Sequence, residues 1–89
     1  MTEATMLVEN KSGIHARPAS MFVQEAMKFT SAVQIKARDK VADAKSILMI
    51  MGMGLSRGTE ITIMADGPDE KEAVEALQKL VASKFGEEG

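Results

Sequence analysis

The chain has 89 residues and contains no cysteine, no tryptophan, no tyrosine and a single histidine. Without cysteine it can form no disulfide and no thiolate metal site, and one histidine cannot supply the several imidazoles of a typical zinc site. We therefore expect the protein to use neither a metal nor a cofactor.

Strong charge and long apolar segments are also scarce. The net charge is −2, and the 11 lysines and arginines are scattered, so the basic patch that binds a nucleic-acid backbone is missing. The longest apolar run, residues 47–55, is interrupted by two glycines and is far shorter than the roughly 20 residues of a membrane-spanning helix. No signal-peptide pattern stands at the amino end. We expect a cytoplasmic protein that neither binds nucleic acid nor inserts into a membrane.

The remaining composition is that of a small globular domain. Hydrophobic residues make up 45% of the chain and charged residues 27%, which is ordinary for a folded soluble protein. A chain of this length forms a single two-layer core. No repeat or linker divides it, so we predict one domain over residues 1–89.

Apolar residues recur with two different periods. Alternation of apolar and polar residues, typical of a strand with one solvent-exposed face, predicts four strands. They cover residues 2–9, 32–37, 41–44 and 60–65. Spacings of three and four, typical of a helix with one buried side, predict a first and a last helix with a shorter one between them. They cover residues 16–29, 47–53 and 70–85, with Gly86 as the final stop.

Signals typical of helix starts support these helices. Ser46 is a good N-cap for the short helix, because its hydroxyl can accept a hydrogen bond from the first turn. Asp69 followed by Glu72 resembles a capping box. Pro18 suits the opening turn of the first helix, where a missing N–H costs nothing. The residue before a proline is biased away from helical angles, so a start at Ala16 and a start at Pro18 both stay open.

The elements follow the order β-α-β-β-α-β-α. Short connections favour antiparallel pairing of strands that adjoin in sequence, and helices with one apolar stripe must cover one face of the sheet. We predict an α+β fold, an open-faced β-sandwich in which a four-stranded antiparallel sheet is covered on one face by three helices.

The single histidine lies between a turn and the start of the first helix. Amides at a helix N-terminus bind anions, and Arg17 can add a charge-assisted contact two residues after His15. Phosphoryl transfer needs mainly a positioned nucleophile and stabilised charge on the moving group. The stretch therefore predicts a phosphate-accepting site with His15 and Arg17 as its catalytic residues; the alternative is a surface histidine that merely caps the helix.

Three segments in register resemble the HPr family of histidine-containing phosphocarrier proteins. They are Gly-Ile-His-Ala-Arg-Pro-Ala at 13–19, Ala-Lys-Ser-Ile at 44–47, and the Gly-Thr-Glu-Ile-Thr-Ile and Ala-Asp-Gly segments within 58–67. The resemblance implies a carrier of the phosphoenolpyruvate-dependent sugar phosphotransferase system, which takes a phosphoryl group from enzyme I and passes it to the IIA domain of a sugar permease. It implies phosphorylation on Nδ1 of His15. Such a carrier is consumed and regenerated, so it does not turn over substrate by itself.

The resemblance also implies a regulatory role for Ser46. In many Gram-positive members this serine is phosphorylated by HPr kinase/phosphorylase, which links the carrier to a catabolite-control regulator. The N-cap role alone would equally explain the residue. The chain departs from the commonest Gram-positive pattern at Met49, Gly52 and Met53, where glycine, serine and leucine are usual. These differences weaken what the resemblance implies about kinase recognition and partner preference, and leave the implied fold unchanged.

The methionine-rich stretch 47–53 is too short a helix to bury all its apolar side chains. We expect Ile50, Met53 and Leu55 in the core, and an exposed apolar patch beside His15 that serves as an interaction surface. By the resemblance, partners bind this patch and the outer side of the first helix, and the protein is a monomer. The predicted partner-binding residues are Ala16, Ser20, Met21, Gln24, Met27, Ile47, Leu48 and Met51.

Other functions stay open. A purely regulatory relative of the Crh type lacks the active histidine, so His15 argues against it. A carrier of the nitrogen phosphotransferase branch is poorly separated from the sugar branch by the sequence. A small α/β binding module without phosphoryl chemistry would need ligand-binding groups that this chain has in short supply.

Overall fold

A computed structural model describes residues 1–86, so the end of the predicted domain, residues 87–89, lies outside the described part. Four strands and three helices follow the predicted order, and a short 3₁₀ turn closes the described chain. They are β1 (Thr2–Leu7), α1 (Ala16–Ala26), β2 (Ala32–Ala37), β3 (Lys40–Asp43), α2 (Ile47–Gly52), β4 (Glu60–Asp66), α3 (Glu70–Ala82) and the 3₁₀ turn Lys84–Gly86.

The strands form one antiparallel sheet in the order β1-β4-β2-β3. The predicted fold class is confirmed, because the helices pack on one face of this sheet. Pairing of strands that adjoin in sequence was the wrong expectation except for β2 and β3, since β4 lies between β1 and β2. A central strand has neighbours on both sides, and β4 suits that position because Ile61 and Ile63 are fully buried.

The core lies between the sheet and the helices. Alternate residues of the strands point into it, as predicted, and Ile63 of β4 stands opposite Ala4 of β1 and Ile35 of β2. Each helix contributes fully buried side chains to the same cluster, among them Phe22 and Leu77. Burial of such side chains is worth about 1.5–3 kcal/mol each, so this cluster is what holds α1, α2 and α3 on the sheet.

Several predicted boundaries need correction by a few residues. Helix α1 ends at Ala26 instead of residue 29, because the amides of Lys28 and Phe29 bond to carbonyls only three residues back and tighten the last turn. Helix α3 ends at Ala82, and the following turn buries Phe85 completely. Smaller shifts affect the ends at residues 7, 43, 52 and 66.

The predicted capping box at the start of α3 is wrong. Asp69 is the N-cap residue, but its side chain makes no capping hydrogen bond. It accepts hydrogen bonds from the Thr30 amide at 2.9 Å and from the amide and hydroxyl of Ser31 instead. The carboxylate therefore joins α3 to the start of β2. Donors that are distant in sequence satisfy its hydrogen-bonding capacity in place of the local amides of α3.

Residues 1–86 contain neither a membrane-spanning helix nor a cluster of metal-binding side chains. No helix there is long and apolar enough to cross a membrane. The same residues contain no group of three or more histidine, cysteine, aspartate or glutamate side chains placed to hold a metal ion.

Candidate functional site

His15 is the N-cap residue of α1. Its backbone is extended, with φ −96° and ψ −160°, and its carbonyl accepts from the Ala19 amide at 2.9 Å. Regular helix therefore begins at Ala16, and Pro18 sits buried in the first turn. The His15 residue is exposed, so its ring is accessible at the amino end of the helix.

The loop before His15 is fixed to the chain that follows α2. The Ile14 amide donates to the Leu55 carbonyl at 2.7 Å, and Gly13 takes a φ of +69° directly beside it. A Cβ atom on Gly13 would lie 2.6 Å from the same carbonyl oxygen, so only glycine allows this close approach. The loop thus sets both the direction in which α1 starts and its position relative to α2.

Asn10 reinforces this loop from inside. It is fully buried, and its side-chain NH2 group donates to the Gly13 carbonyl. Its backbone carbonyl accepts from the Gly13 amide at 3.0 Å. Its Oδ1 atom accepts no hydrogen bond from any described residue. No local sequence pattern signals the burial of Asn10.

The first turn of α1 suits an anion. The first amides of a helix have no intrahelical acceptor and carry the positive end of its dipole. Ala16 and Arg17 supply such N–H groups, whereas Pro18 has none. Arg17 is exposed, and the first turn contains no acidic residue that would compete for these donors. A negatively charged group on the His15 ring would therefore meet amide dipoles and an exposed guanidinium.

Helix α2 presents one buried side chain and four exposed apolar ones. Ile50 is fully buried, and Met53 and Leu55 after the helix are 4% and 3% exposed, which confirms the predicted core residues. The α2 face, by which we mean the exposed side chains of this helix, also agrees with the prediction at three positions and adds Met49 as a fourth. Its members and their exposed fractions are Ile47 36%, Leu48 79%, Met49 48% and Met51 41%.

Ser46 caps α2 as predicted. Its hydroxyl accepts from the Met49 amide at 3.4 Å, and its carbonyl accepts from the Ile50 amide at 3.1 Å. The residue is partly exposed. A hydroxyl in this position can be reached from outside while it satisfies the helix end.

The outer side of α1 lies on the same helical layer, since α1 packs against α2. Of the predicted partner-binding residues on it, Ala16, Gln24 and Met27 are exposed, whereas Ser20 and Met21 are partly buried. Gln24 donates to the Ser20 hydroxyl at 3.1 Å. These residues form a mixed polar and apolar margin next to the α2 face.

Basic side chains anchor both helices at their carboxyl ends. Lys45, just before α2, donates to the Phe29 carbonyl at 2.9 Å, beyond the end of α1. Arg38, in the β2–β3 turn, reaches the Met53 carbonyl at 3.5 Å. Cations suit helix carboxyl ends, where the unpaired carbonyls carry the negative end of the dipole. These contacts hold the two helices in place without using the exposed faces.

Two carboxyl groups with lowered pKa lie at the end of the sheet opposite the His15 loop. They and the residues that donate to them form what we call the carboxylate corner, which consists of Thr2, Thr30, Ser31, Gly67, Asp69 and Glu70. Hydrogen bonds from the Ser31 hydroxyl and the Thr30 amide lower the pKa of Asp69 to about 2. Hydrogen bonds from the Thr2 hydroxyl and the Gly67 amide, together with the positive amino terminus, lower the pKa of Glu70 to about 2. Donors that stabilise the charged form have this effect.

An open-faced sandwich with an accessible histidine at the start of α1 defines a class of small protein that other chains also represent. The family model described as the PTS HPr component phosphorylation site matches residues 2–83. The phosphocarrier protein HPr of Mycoplasma capricolum is 43% identical over 81 residues, which cover 91% of each chain. The HPr-like protein Crh of Bacillus subtilis is 46% identical over 81 residues, covering 91% of this chain and 95% of the relative.

Solved structures agree with these relatives. A crystal structure of HPr-C-His from Thermoanaerobacter tengcongensis has a TM-score of 0.97 and 48% identity, with complete coverage of both chains. A crystal structure of an HPr dimer from the same organism has a TM-score of 0.79 and covers 98% of this chain and 100% of the other. The chain belongs to the HPr family, the phosphocarriers of the phosphotransferase system.

Proposed function

We propose that the protein accepts a phosphoryl group on His15 from phosphorylated enzyme I, which obtains it from phosphoenolpyruvate, and passes it to IIA domains of sugar permeases. The observation that carries this proposal is the position of His15. It is the exposed N-cap of α1, so its ring can meet a partner while the amides of Ala16 and Arg17 lie next to it. Arg17 acts as the second catalytic residue.

The transfer step needs little from the protein beyond placement. Nδ1 of His15 attacks the phosphorus of the donor, a P–N bond forms, and the bond between phosphorus and the donor group breaks with its electron pair leaving on the donor. The helix amides and the Arg17 guanidinium stabilise the negative charge on the moving group. The reverse sequence, with a IIA domain as acceptor, regenerates the free His15.

Both partners use one surface in this proposal. The α2 face and the outer side of α1 adjoin the His15 loop, and burying their apolar side chains would stabilise an encounter complex. Methionine side chains are flexible and fit partners of different shape. Because donor and acceptor bind the same surface, the carrier must leave enzyme I before it meets a IIA domain.

The acceptance step is tested by incubating the protein with enzyme I and labelled phosphoenolpyruvate. We expect one acid-labile, base-stable phosphoryl group on the parent chain and none on His15→Ala. The matched control is Lys71→Ala, which changes an exposed residue of α3, outside the proposed docking surface, and should keep the label. Unchanged labelling of His15→Ala would overturn the proposal.

Ser46 supports a second, regulatory function. A phosphate there would lie at the start of α2, next to an apolar surface, and would add a repulsion and desolvation cost to partner docking. The proposal adds an HPr kinase/phosphorylase and a catabolite-control regulator to the partners. Incubation with that kinase and ATP should label the parent chain and leave Ser46→Ala unlabelled. Absence of label, or label that survives Ser46→Ala, would contradict this function.

The setting of the carrier is part of the same proposal. We propose a cytoplasmic protein of one domain, residues 1–89, that works as a monomer, with no nucleic acid among its partners. A dimer structure exists for the Thermoanaerobacter relative, so the oligomeric state is worth measuring directly. Sedimentation equilibrium at micromolar concentration should give the mass of one chain. A stable two-chain mass would contradict the monomer.

A further inference from the structure

The eight methionines of the chain are unevenly exposed. Met53 is nearly buried at 4%, whereas Met49 and Met51 of α2 are 48% and 41% exposed. Met27 at the end of α1 is 63% exposed. A thioether is the side chain that peroxides oxidise when cysteine is absent, and reaction requires that the sulfur be accessible.

The two exposed methionines of α2 flank the residue that protrudes furthest. Successive residues of a helix are about 100° apart around its axis, so Leu48 points about 160° away from the buried Ile50. Met49 and Met51 each lie about 100° from Ile50, on opposite sides of the helix. The exposed fractions follow this geometry, with 79% for Leu48 and intermediate values for both methionines. A partner that covers the whole α2 face therefore also covers the two thioethers.

We propose that Met49 and Met51 form a site of reversible oxidation that switches the α2 face from apolar to polar and weakens docking. This inference rests on the proposed function, since it assigns a regulatory chemistry to the same surface. The oxidant is hydrogen peroxide. A sulfur lone pair attacks one peroxide oxygen, an S–O bond forms and the O–O bond breaks. The second oxygen leaves as hydroxide and takes the proton from the sulfur-bound oxygen to become water. The sulfur is oxidised to the sulfoxide and the peroxide is reduced.

The switch acts on binding and leaves the fold intact. In the free protein both sulfoxide oxygens would be solvated, because Met49 and Met51 are exposed, and the buried side chains of Ile50 and Met53 would be untouched. In a complex, the same oxygens would be covered by a partner surface shaped for apolar contacts and would lose water without gaining a donor. Methionine sulfoxide reductases restore the thioether, so the change is reversible.

The chemical part of the proposal can be tested on the protein alone. Treatment with increasing hydrogen peroxide, followed by peptide mass spectrometry, should show sulfoxide at Met49 and Met51 well before Met53. Circular dichroism of the same samples should be unchanged until Met53 reacts. Oxidation of Met53 together with Met49 and Met51 would mean that the helix opens, and would overturn the proposal of a binding switch on a folded protein.

The functional part compares each variant with its own unoxidised rate of phosphoryl acceptance from enzyme I at limiting concentration. Peroxide treatment should slow the parent about tenfold, as expected when a buried contact turns polar. The double variant M49L/M51L, which keeps apolar side chains of similar size, should resist, and reductase treatment should restore the parent. The matched variant M27L should remain as sensitive as the parent.

The outcomes separate this inference from the proposed function. An oxidised parent that accepts phosphoryl groups at the unoxidised rate, or protection by M27L in place of M49L/M51L, overturns the oxidation site while the carrier function stands. An unoxidised parent that accepts none overturns the carrier function, and the inference falls with it.

Discussion

The two ends of the sheet are held together in different ways. At the carboxylate corner, two ionised side chains collect donors from the starts of β1 and β2 and from the end of β4. At the other end, the His15 loop is fixed by backbone bonds and by the buried Asn10, while the apolar side chains of the α2 face remain exposed.

This difference separates closure of the fold from its function. Carboxylates that already accept several hydrogen bonds within the protein gain little from a partner, so we assign the carboxylate corner to stability. Exposed apolar side chains contribute little to folding and become favourable only when a partner covers them. Substitutions of the two carboxylates and of the exposed α2 side chains should therefore produce opposite balances of stability loss and functional loss.

The largest effects should come from the two glycines, one at each end, that allow close packing. A Cβ on Gly67 would lie 2.7 Å from Ser31 Cα, and a Cβ on Gly13 would lie 2.9 Å from Ser56 Cα, both at positive φ. We expect Gly67→Ala and Gly13→Ala each to lose about 3–4 kcal/mol in urea unfolding. Gly58→Ala, which also has positive φ but meets nothing within 4 Å, should lose only about 1 kcal/mol. Similar losses at all three positions would refute the packing argument.

A pair of substitutions within α2 should divide stability from function. Ile50→Ala should cost about 3 kcal/mol, because it leaves a cavity in the core. Leu48→Ala should change stability by less than about 0.5 kcal/mol, because the side chain is 79% exposed. The same Leu48→Ala variant should slow phosphoryl acceptance from enzyme I about tenfold if partners bury this side chain. Normal acceptance by Leu48→Ala would show that docking avoids the α2 face.

Ser46→Ala tests the cap of α2 and should have a smaller effect. Loss of an N-cap hydroxyl costs about 1 kcal/mol, and the long 3.4 Å bond to the Met49 amide places this case toward the lower end. Ser20→Ala is the matched control, since its hydroxyl accepts a hydrogen bond from the exposed Gln24 side chain and from no other group within residues 1–86. The midpoints of thermal unfolding of the two variants should show a lower value for Ser46→Ala than for Ser20→Ala. Equal midpoints would mean that Ser46 adds nothing as a cap.

The mildest intervention leaves the chain unchanged and lowers the pH. The pKa of both Asp69 and Glu70 falls to about 2 in the folded protein, from ordinary values of 3.8 and 4.5. Their contribution is therefore complete above pH 4.5 and should disappear as the pH falls toward 2. Urea midpoints across this range should drop less in Asp69→Asn than in the parent, whereas the exposed control Glu3→Gln should follow the parent. A parent midpoint that stays constant would contradict the lowered pKa values.

Sequence periodicity predicted those features of the fold that depend on residues close together in the chain. Alternation identified the four strands, and the spacing around Ile50 separated core from exposed residues in α2. Strand order could not be predicted, because alternation says which face is buried and nothing about which strand lies alongside. The end of α1 was also missed. Residues 27–29 are compatible with a helix by sequence, yet α1 ends at Ala26. Just beyond this end, Lys45 and Asp69, which are far along the chain, bind the carbonyl of Phe29 and the amide of Thr30.

The site shows the same limit. The motif around His15 indicated an exposed histidine at a helix start, and Ser46 indicated a cap, because both signals lie within a few residues. The close approach of Gly13 to Leu55 and the burial of Asn10 depend on contacts across the fold. The predicted exposed positions of α2 did not include Met49, although helical geometry places it as far from Ile50 as Met51.

The most direct test of the carrier function is a chase from the isolated phosphorylated protein. The chain is labelled with enzyme I and phosphoenolpyruvate, freed from both, and mixed with an unlabelled IIA domain. The carrier account predicts that the label leaves His15 and appears on the IIA domain at a rate that rises with IIA concentration. Label that stays on His15, or is lost only to water at a rate independent of the IIA domain, would contradict it.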